Sequence, residues 1–138
     1  MRYPAKFKPA PEGGFVVTFR DIPEAITQGE TEAEAMEMAE DVLYSSMELY
    51  FDDKRAVPLP SAVKRGEHLV ALPPSVWAKV LLLNEMLSQK VTSSELARRL
   101  HTTPQNMNKV IDLGHVTKID MLNQAMVAMG RRLEVVVA

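Results

Sequence analysis

The residues with most chemistry to offer lie between Val91 and Asp112, in VTSSELARRLHTTPQNMNKVID. Gln105, Asn106, Asn108 and Lys109 cluster there, on the side of a helical spacing opposite Met107, Val110 and Ile111. Gln and Asn amides bond adenine bidentately, and Lys reaches guanine or a phosphate. A short helix presenting them therefore suits the DNA major groove. Ser93, Thr103 and Lys118 complete the candidate DNA contacts. Two capped amphipathic helices with a polar outer face are also what any small helical bundle offers. Small Ala97 favours the first reading, because a helix-turn-helix needs its two helices to cross closely.

A second group is acidic. Glu30, Glu34, Glu37, Glu40, Asp41 and Glu48 are spaced for a solvated helix face, and their excess also suits docking to a basic partner. Glu34, Glu37, Asp41 and Glu48 are the candidates for that contact. A two-metal nuclease needs carboxylates converging on its ions. The first strand, Tyr3 to Lys8, carries none. Asp21 and Glu24 fall in a turn, and Asp52 and Asp53 in a loop. No catalytic residue is assigned. His68, His101 and His115 lack ligand spacing and a cysteine partner, so neither a metal nor any cofactor is expected. No nucleophile elbow, P-loop or dinucleotide fingerprint is present.

The 138 residues suffice for one ordinary domain or two small ones. Residues 1–74 hold 8 Lys/Arg against 13 Asp/Glu, a net of −5, and residues 75–138 hold 8 against 5, a net of +3. The basic half contains the candidate DNA reader, so the asymmetry points to two modules with different partners. A surplus of three positive charges is modest; DNA affinity would lean on dimerisation and fall with salt. The chain has no cysteine, no apolar run of transmembrane length and no signal-peptide core at its start. These features fit a cytoplasmic protein without a membrane partner.

The elements that must position these groups follow from periodicity and punctuation. Tyr3, Ala5 and Phe7 alternate with Pro4, Lys6 and Lys8. After the Pro11–Gly14 turn, Phe15, Val17 and Phe19 form a second alternating strand, so the two read as a hairpin. Ala25 to Gln28 is a short third strand ended by Gly29. Thr31 and Glu34 form a capping box opening a helix to about Tyr50, with Ala35, Met36, Ala39, Val42, Leu43, Met47 and Tyr50 inward. Glu67 to Leu72 is a fourth strand, and Pro73-Pro74 marks a boundary between modules 1–73 and 74–138. The second module opens with an apolar helix from Ser75. Thr92 and Glu95 make a capping box for the next helix, and Thr103 with Pro104 starts the reading helix. Thr117 to Met129 is a last helix with Ile119, Leu122, Ala125, Met126 and Met129 buried, ended by Gly130 at C′. Leu133 to Val137 reads as a strand. Its simplest partner is the same strand of a second copy, through Leu133, Val135 and Val137; the alternative is the first module's sheet.

The stretch GGFVVTFRDIPEAITQGETEAEAMEMAEDVL, followed by Val57-Pro58-Leu59-Pro60-Ser61, resembles the HicB antitoxin family. The shared pattern is a Gly-aromatic strand, an Asp-Ile-Pro turn, a Gly-x-Thr helix entry, a Glu-Ala-rich helix and a late Pro-x-Pro. Pro23-Glu24-Ala25 stands where many members have Pro-Gly-Cys. TSSELARRL and TPQNMNKVI are similar to the scanning and recognition helices of the repressor-type branch, with Ser93 at the phosphate-contacting position where Gln is usual. The resemblance implies an α+β chain. Its first part would be a truncated ribonuclease-H-like β-β-β-α-β module, and its second an all-α helix-turn-helix domain ending in a dimerising β-strand. It implies an antitoxin that neutralises a HicA-type mRNA-cleaving toxin and represses its own operon through operator double-stranded DNA, as a homodimer or tetramer. The reading that remains open beside it is a stand-alone transcription regulator whose first module binds a small ligand or another copy.

Overall fold

A computed structural model describes residues 1–138. The chain is mixed α/β, with one four-stranded antiparallel sheet and five helices. It divides into two compact units, Met1–Tyr50 with Val57–Pro73, and Phe51–Ala56 with Pro74–Ala138.

The first unit contains β1 (Arg2–Pro9), β2 (Phe15–Phe19), β3 (Ile26–Gly29), most of α1 (Glu32–Asp53) and β4 (Glu67–Ala71). The strands run in the order β3-β2-β1-β4. In register, Ala5 lies beside Phe19 and His68, Phe7 beside Val17, and Tyr3 beside Val70. These residues therefore share one face, and Tyr3, Ala5, Val17, Phe19 and Val70 on it are buried. Helix α1 turns Ala35, Ala39, Leu43, Met47 and Tyr50 inward, as expected. Met36 and Val42 are only half-buried because they flank that stripe. The third strand begins at Ile26, one residue after the position that spacing suggests, since the Ala25 N–H closes a turn onto the Ile22 carbonyl at 3.0 Å.

At the entry to α1, the Thr31 hydroxyl accepts from the Glu34 N–H at 3.1 Å. The Glu34 carboxylate reaches back to the Glu30 N–H at 3.2 Å, one residue before the usual capping-box partner. Gly29 is where β3 meets this helix start. A Cβ placed there would lie 2.4 Å from the Ala35 nitrogen, so only glycine lets strand and helix backbones approach so closely.

The connection from α1 to β4 is tied down on the sheet. The Tyr3 hydroxyl donates to the Pro58 carbonyl at 2.8 Å, and the Ser61 N–H donates to Asp21 at 2.9 Å. Arg20 donates to both oxygens of Glu67 at 3.0 Å and also bonds Ser61 and the Ala62 carbonyl. The Arg20 hydrogen bonds, with a further one from the Lys64 N–H, hold the Glu67 carboxyl down at about 2, against an ordinary 4.5. A carboxyl lowered in the folded state stabilises the fold above its unfolded value and loses that contribution as pH falls through its folded value. The Arg20–Glu67 link is thus expected to fail in acid, between pH 4.5 and about 2. Carboxyl-detected NMR should place the Glu67 midpoint near the lower figure in the wild type and close to the ordinary one in Arg20→Gln. Coincident midpoints in the two proteins would refute this.

The second unit contains α2 (Pro74–Gln89), α3 (Ser93–Arg99), α4 (Pro104–Ile111) and α5 (Ile119–Val127). Its core is built from Ala78, Leu82, Met86, Leu96, Met107, Val110, Leu122 and Ala125, with neighbours such as Leu100 and Leu133 packed on it. Helix α2 touches α4 and α5, and α3 lies against α4.

Two sequence expectations need correction here. Helix α5 is shorter than Thr117–Met129. Its start is displaced because the Thr117 hydroxyl donates to the Val110 carbonyl at 3.1 Å, and Ile119, 47% exposed, is not a core residue. Gly130 ends the helix in the expected way: at φ 77° it lets the Arg131 N–H reach the Met126 carbonyl at 2.9 Å. Within one chain Leu133–Val137 pairs with no strand, so the alternative in which it joins the first module's sheet is not taken. A strand exists only through a ladder partner. Leu133 is fixed by its N–H on the Asn123 side chain at 2.9 Å, whereas Val135 and Val137 are exposed.

Candidate functional site

Helices α3 and α4 are each fixed at both ends by local chemistry. Thr92 caps α3 by accepting from the Glu95 N–H at 3.1 Å. The reciprocal half of that capping box is absent, because the Glu95 carboxylate is taken by Arg98 and Arg99 at 2.6 to 3.0 Å. The hydrogen bonds from these two arginines lower the Glu95 carboxyl to about 2. Arg99 also donates to the Ala128 carbonyl at 3.1 Å, so much of the charge on α3 is already engaged within the unit.

The turn after α3 depends on His101, whose φ is 55°. The His101 N–H meets the Arg98 carbonyl at 3.3 Å and the Thr102 N–H meets the Ala97 carbonyl at 2.9 Å, the paired bonds of a Schellman ending. A Cβ makes this conformation costly, so His101→Gly is expected to raise stability by about 0.5–1 kcal/mol. A urea melt measures this; a lowered midpoint would mean that the imidazole makes a compensating contact.

Thr103 then caps α4 by accepting from the Asn106 N–H at 3.1 Å, with Pro104 at the first helical position. Met107 and Val110 are buried and Ile111 half-buried, while Gln105, Asn106, Asn108 and Lys109 are exposed. The Asn106 amide donates to the Thr102 hydroxyl at 2.9 Å, which leaves its oxygen and second hydrogen for another partner. Ser93 is half-buried in the first turn of α3, and Lys118 is exposed where α5 begins. Thus α4 brings together Gln105, Asn106, Asn108 and Lys109. Ser93, Thr103 and Lys118 lie at the starts of the three helices.

On α1, Glu34, Glu37, Asp41 and Glu48 are all exposed, and the spacing 34, 37, 41, 48 follows one side of the helix. Exposed Met38 and Leu49 lie among them, an apolar component of this side that charge counting misses.

The sequence reading also missed Lys79. It lies in α2, is 2% exposed, and its ammonium donates to the carbonyls of Asp112 and His115 just after α4. Burial holds its pKa below the ordinary lysine value. Side-chain donors from neighbouring helices thus satisfy helix-terminal carbonyls twice in this unit: Lys79 after α4, and Arg99 and Gln89 after α5.

A family model described as HicB_like antitoxin of bacterial toxin-antitoxin system matches residues 2–81, which span the whole sheet and α1. The chain belongs to the HicB-like antitoxin family. It is 48% identical over 136 residues to Antitoxin HicB of Escherichia coli strain K12, covering 99% of both chains. Against Antitoxin HicB 2 of Photorhabdus laumondii it is again 48% identical over 136 residues, covering 99% of this chain and 96% of the relative. Antitoxin HicB of Pseudomonas fluorescens strain Pf0-1 is 32% identical over 122 residues, 88% of this chain and 84% of that one. The family is one of antitoxins and not of enzymes. No helix is long and apolar enough to cross a membrane.

Proposed function

We propose that this antitoxin neutralises a HicA-type toxin, an mRNA-cleaving ribonuclease, and represses its own operon by binding operator DNA. The observation that carries the DNA half is the division of α4. Its inner side, Met107 and Val110, is buried, and its outer side presents Gln105, Asn108 and Lys109 from a start fixed by Thr103 and Pro104. In this reading α3 and α4 are the scanning and recognition helices of a repressor-type helix-turn-helix. Ser93, Thr103 and Lys118 contact phosphates, and Gln105, Asn106, Asn108 and Lys109 meet base edges or phosphate.

The toxin half is supported by family membership and by the acidic side of α1. Glu34, Glu37, Asp41 and Glu48 would meet a basic toxin surface, where opposite potentials speed association. The β-β-β-α-β order of residues 1–73 agrees with a truncated ribonuclease-H-like, toxin-binding module. Residues 74–138 are the DNA-binding and dimerising part. Homodimers or tetramers form through Leu133, Val135 and Val137, whose valines are 80% and 100% exposed. The protein acts in the cytoplasm and needs no cofactor.

Co-expression with a HicA-type toxin tests the toxin half. Growth should be restored and the two should copurify; neither rescue nor copurification would sink the claim. For the DNA half, Gln105→Ala and Asn106→Ala should each relax sequence preference by about 1–3 kcal/mol at one base pair. Lys109→Ala should weaken binding and lower the salt slope by about one if its partner is a phosphate. Unchanged operator shifts in all three would reject α4 as the reading helix.

A further inference from the structure

Lys79 is a charged group sealed inside the second unit, and its acceptors are main-chain oxygens of the loop that leaves α4. That loop carries further hydrogen bonds of its own. The Gly114 N–H donates to the Asp112 side chain at 3.0 Å, the His115 N–H to the Asp112 carbonyl at 3.1 Å, and the Thr117 hydroxyl to the Val110 carbonyl at 3.1 Å. The loop then delivers Lys118, exposed at the start of α5, whose carbonyl accepts from the Met121 N–H at 3.0 Å. An apolar residue in place of Lys79 would fill the space in the core but would leave the His115 carbonyl without its donor and the Asp112 carbonyl with the His115 N–H alone. The ammonium thus does what packing cannot: it joins α2, the end of α4 and the start of the next connection at one point.

We propose that Lys79 is a positioning residue of the DNA-binding surface, holding the Asp112–Lys118 loop so that Lys118 meets a phosphate in fixed register with the bases read by α4. This rests on the DNA-reading function proposed above. Lys79 itself touches no DNA. Its consequence is coupling: the value of the Lys118 contact depends on a side chain buried in another helix.

The test is a double-mutant cycle on the full-length protein, using a duplex spanning its own promoter and fluorescence anisotropy at several salt concentrations. Lys118→Ala should weaken binding by about fivefold in the wild-type background and by less than about twofold in Lys79→Met. The salt slope should fall by about one in Lys79→Met alone, although no surface charge has been removed. A loss of core stability without mispositioning would leave the Lys118→Ala penalty and the salt slope unchanged, and that result would overturn the proposal. Should Lys79→Met not fold, Lys79→Gln, which removes the charge and shortens the donor's reach to the Asp112 and His115 carbonyls, is read by the same criterion. Failure of the wild type to bind the duplex would overturn the DNA-reading function itself. Wild-type binding with additive mutations would overturn only the role of Lys79.

Discussion

Replacing Gly29 with alanine should destabilise the sheet-and-helix unit by about 3 kcal/mol. The added Cβ would sit 2.4 Å from the Ala35 nitrogen, 2.6 Å from its Cα and 2.9 Å from the Glu34 carbonyl carbon. All three are backbone atoms of the first turn of α1, and none can rotate away as a side chain would. Gly14, at φ 78°, is held to glycine by the same approach: a Cβ there would lie 2.6 Å from the Gly29 oxygen. Moving the helix off would stretch the Thr31 and Glu34 cap bonds, which are 3.1 and 3.2 Å long. Gly114→Ala serves as the comparison. Its Cβ would meet only the Asp112 side chain at 3.6 Å, so it should stay within about 0.5 kcal/mol of wild type. Urea unfolding followed by amide NMR resolves the two. If Gly29→Ala unfolds at the wild-type midpoint, the helix start has room that the geometry denies it.

The second large effect is expected at Leu96→Ala. Leu96 is 0% exposed and shares the helical core with Met107, Val110 and Leu122. Truncation removes its transfer energy and leaves a cavity, together about 2–5 kcal/mol. Relaxation is limited because α3 is short and pinned at both ends, by Thr92 at its start and by the His101 turn at its finish. Unfolding should be seen first in amide signals from α3 and α4, and operator binding should be lost in parallel. Signals of the sheet should persist in Leu96→Ala, and those of α3 and α4 in Gly29→Ala. Simultaneous loss of both sets in either variant would show that the two units fold as one.

Where the chemistry is local, residue order carried it. A threonine three residues before the amide that it caps is decided within one turn, so Thr31, Thr92 and Thr103 each start a helix where spacing placed them. The alternation in β1 and β2 placed Tyr3, Ala5, Val17 and Phe19 inside, because period two sets one side once Tyr3 and Val17 are there, but it missed Pro4, which is buried on the other face of β1, a strand flanked by both β2 and β4. The outward set on α4 was legible for the same reason, as a short helix with two buried aliphatics has only one other side.

Competition between partners was not legible. Glu95 sits at the right spacing to complete a capping box, but two arginines on its own helix outbid the backbone N–H. Ile119 fits the buried period of a longer helix, and a hydroxyl bond from Thr117 to a carbonyl of α4 moved the start beyond it. The valines of the tail have every local reason to be a strand, yet extended backbone is stabilised by a neighbour that periodicity cannot supply. Lys79 is the clearest case. In sequence it is a lysine in an apolar helix, which reads as a solvated charge; only the fold brings two carbonyls from beyond α4 to its ammonium. The sequence by itself thus determined the elements, their inward faces and the groups offered to partners. Tertiary structure decided which of several possible acceptors each polar group takes, because that choice depends on distances between segments remote in the chain.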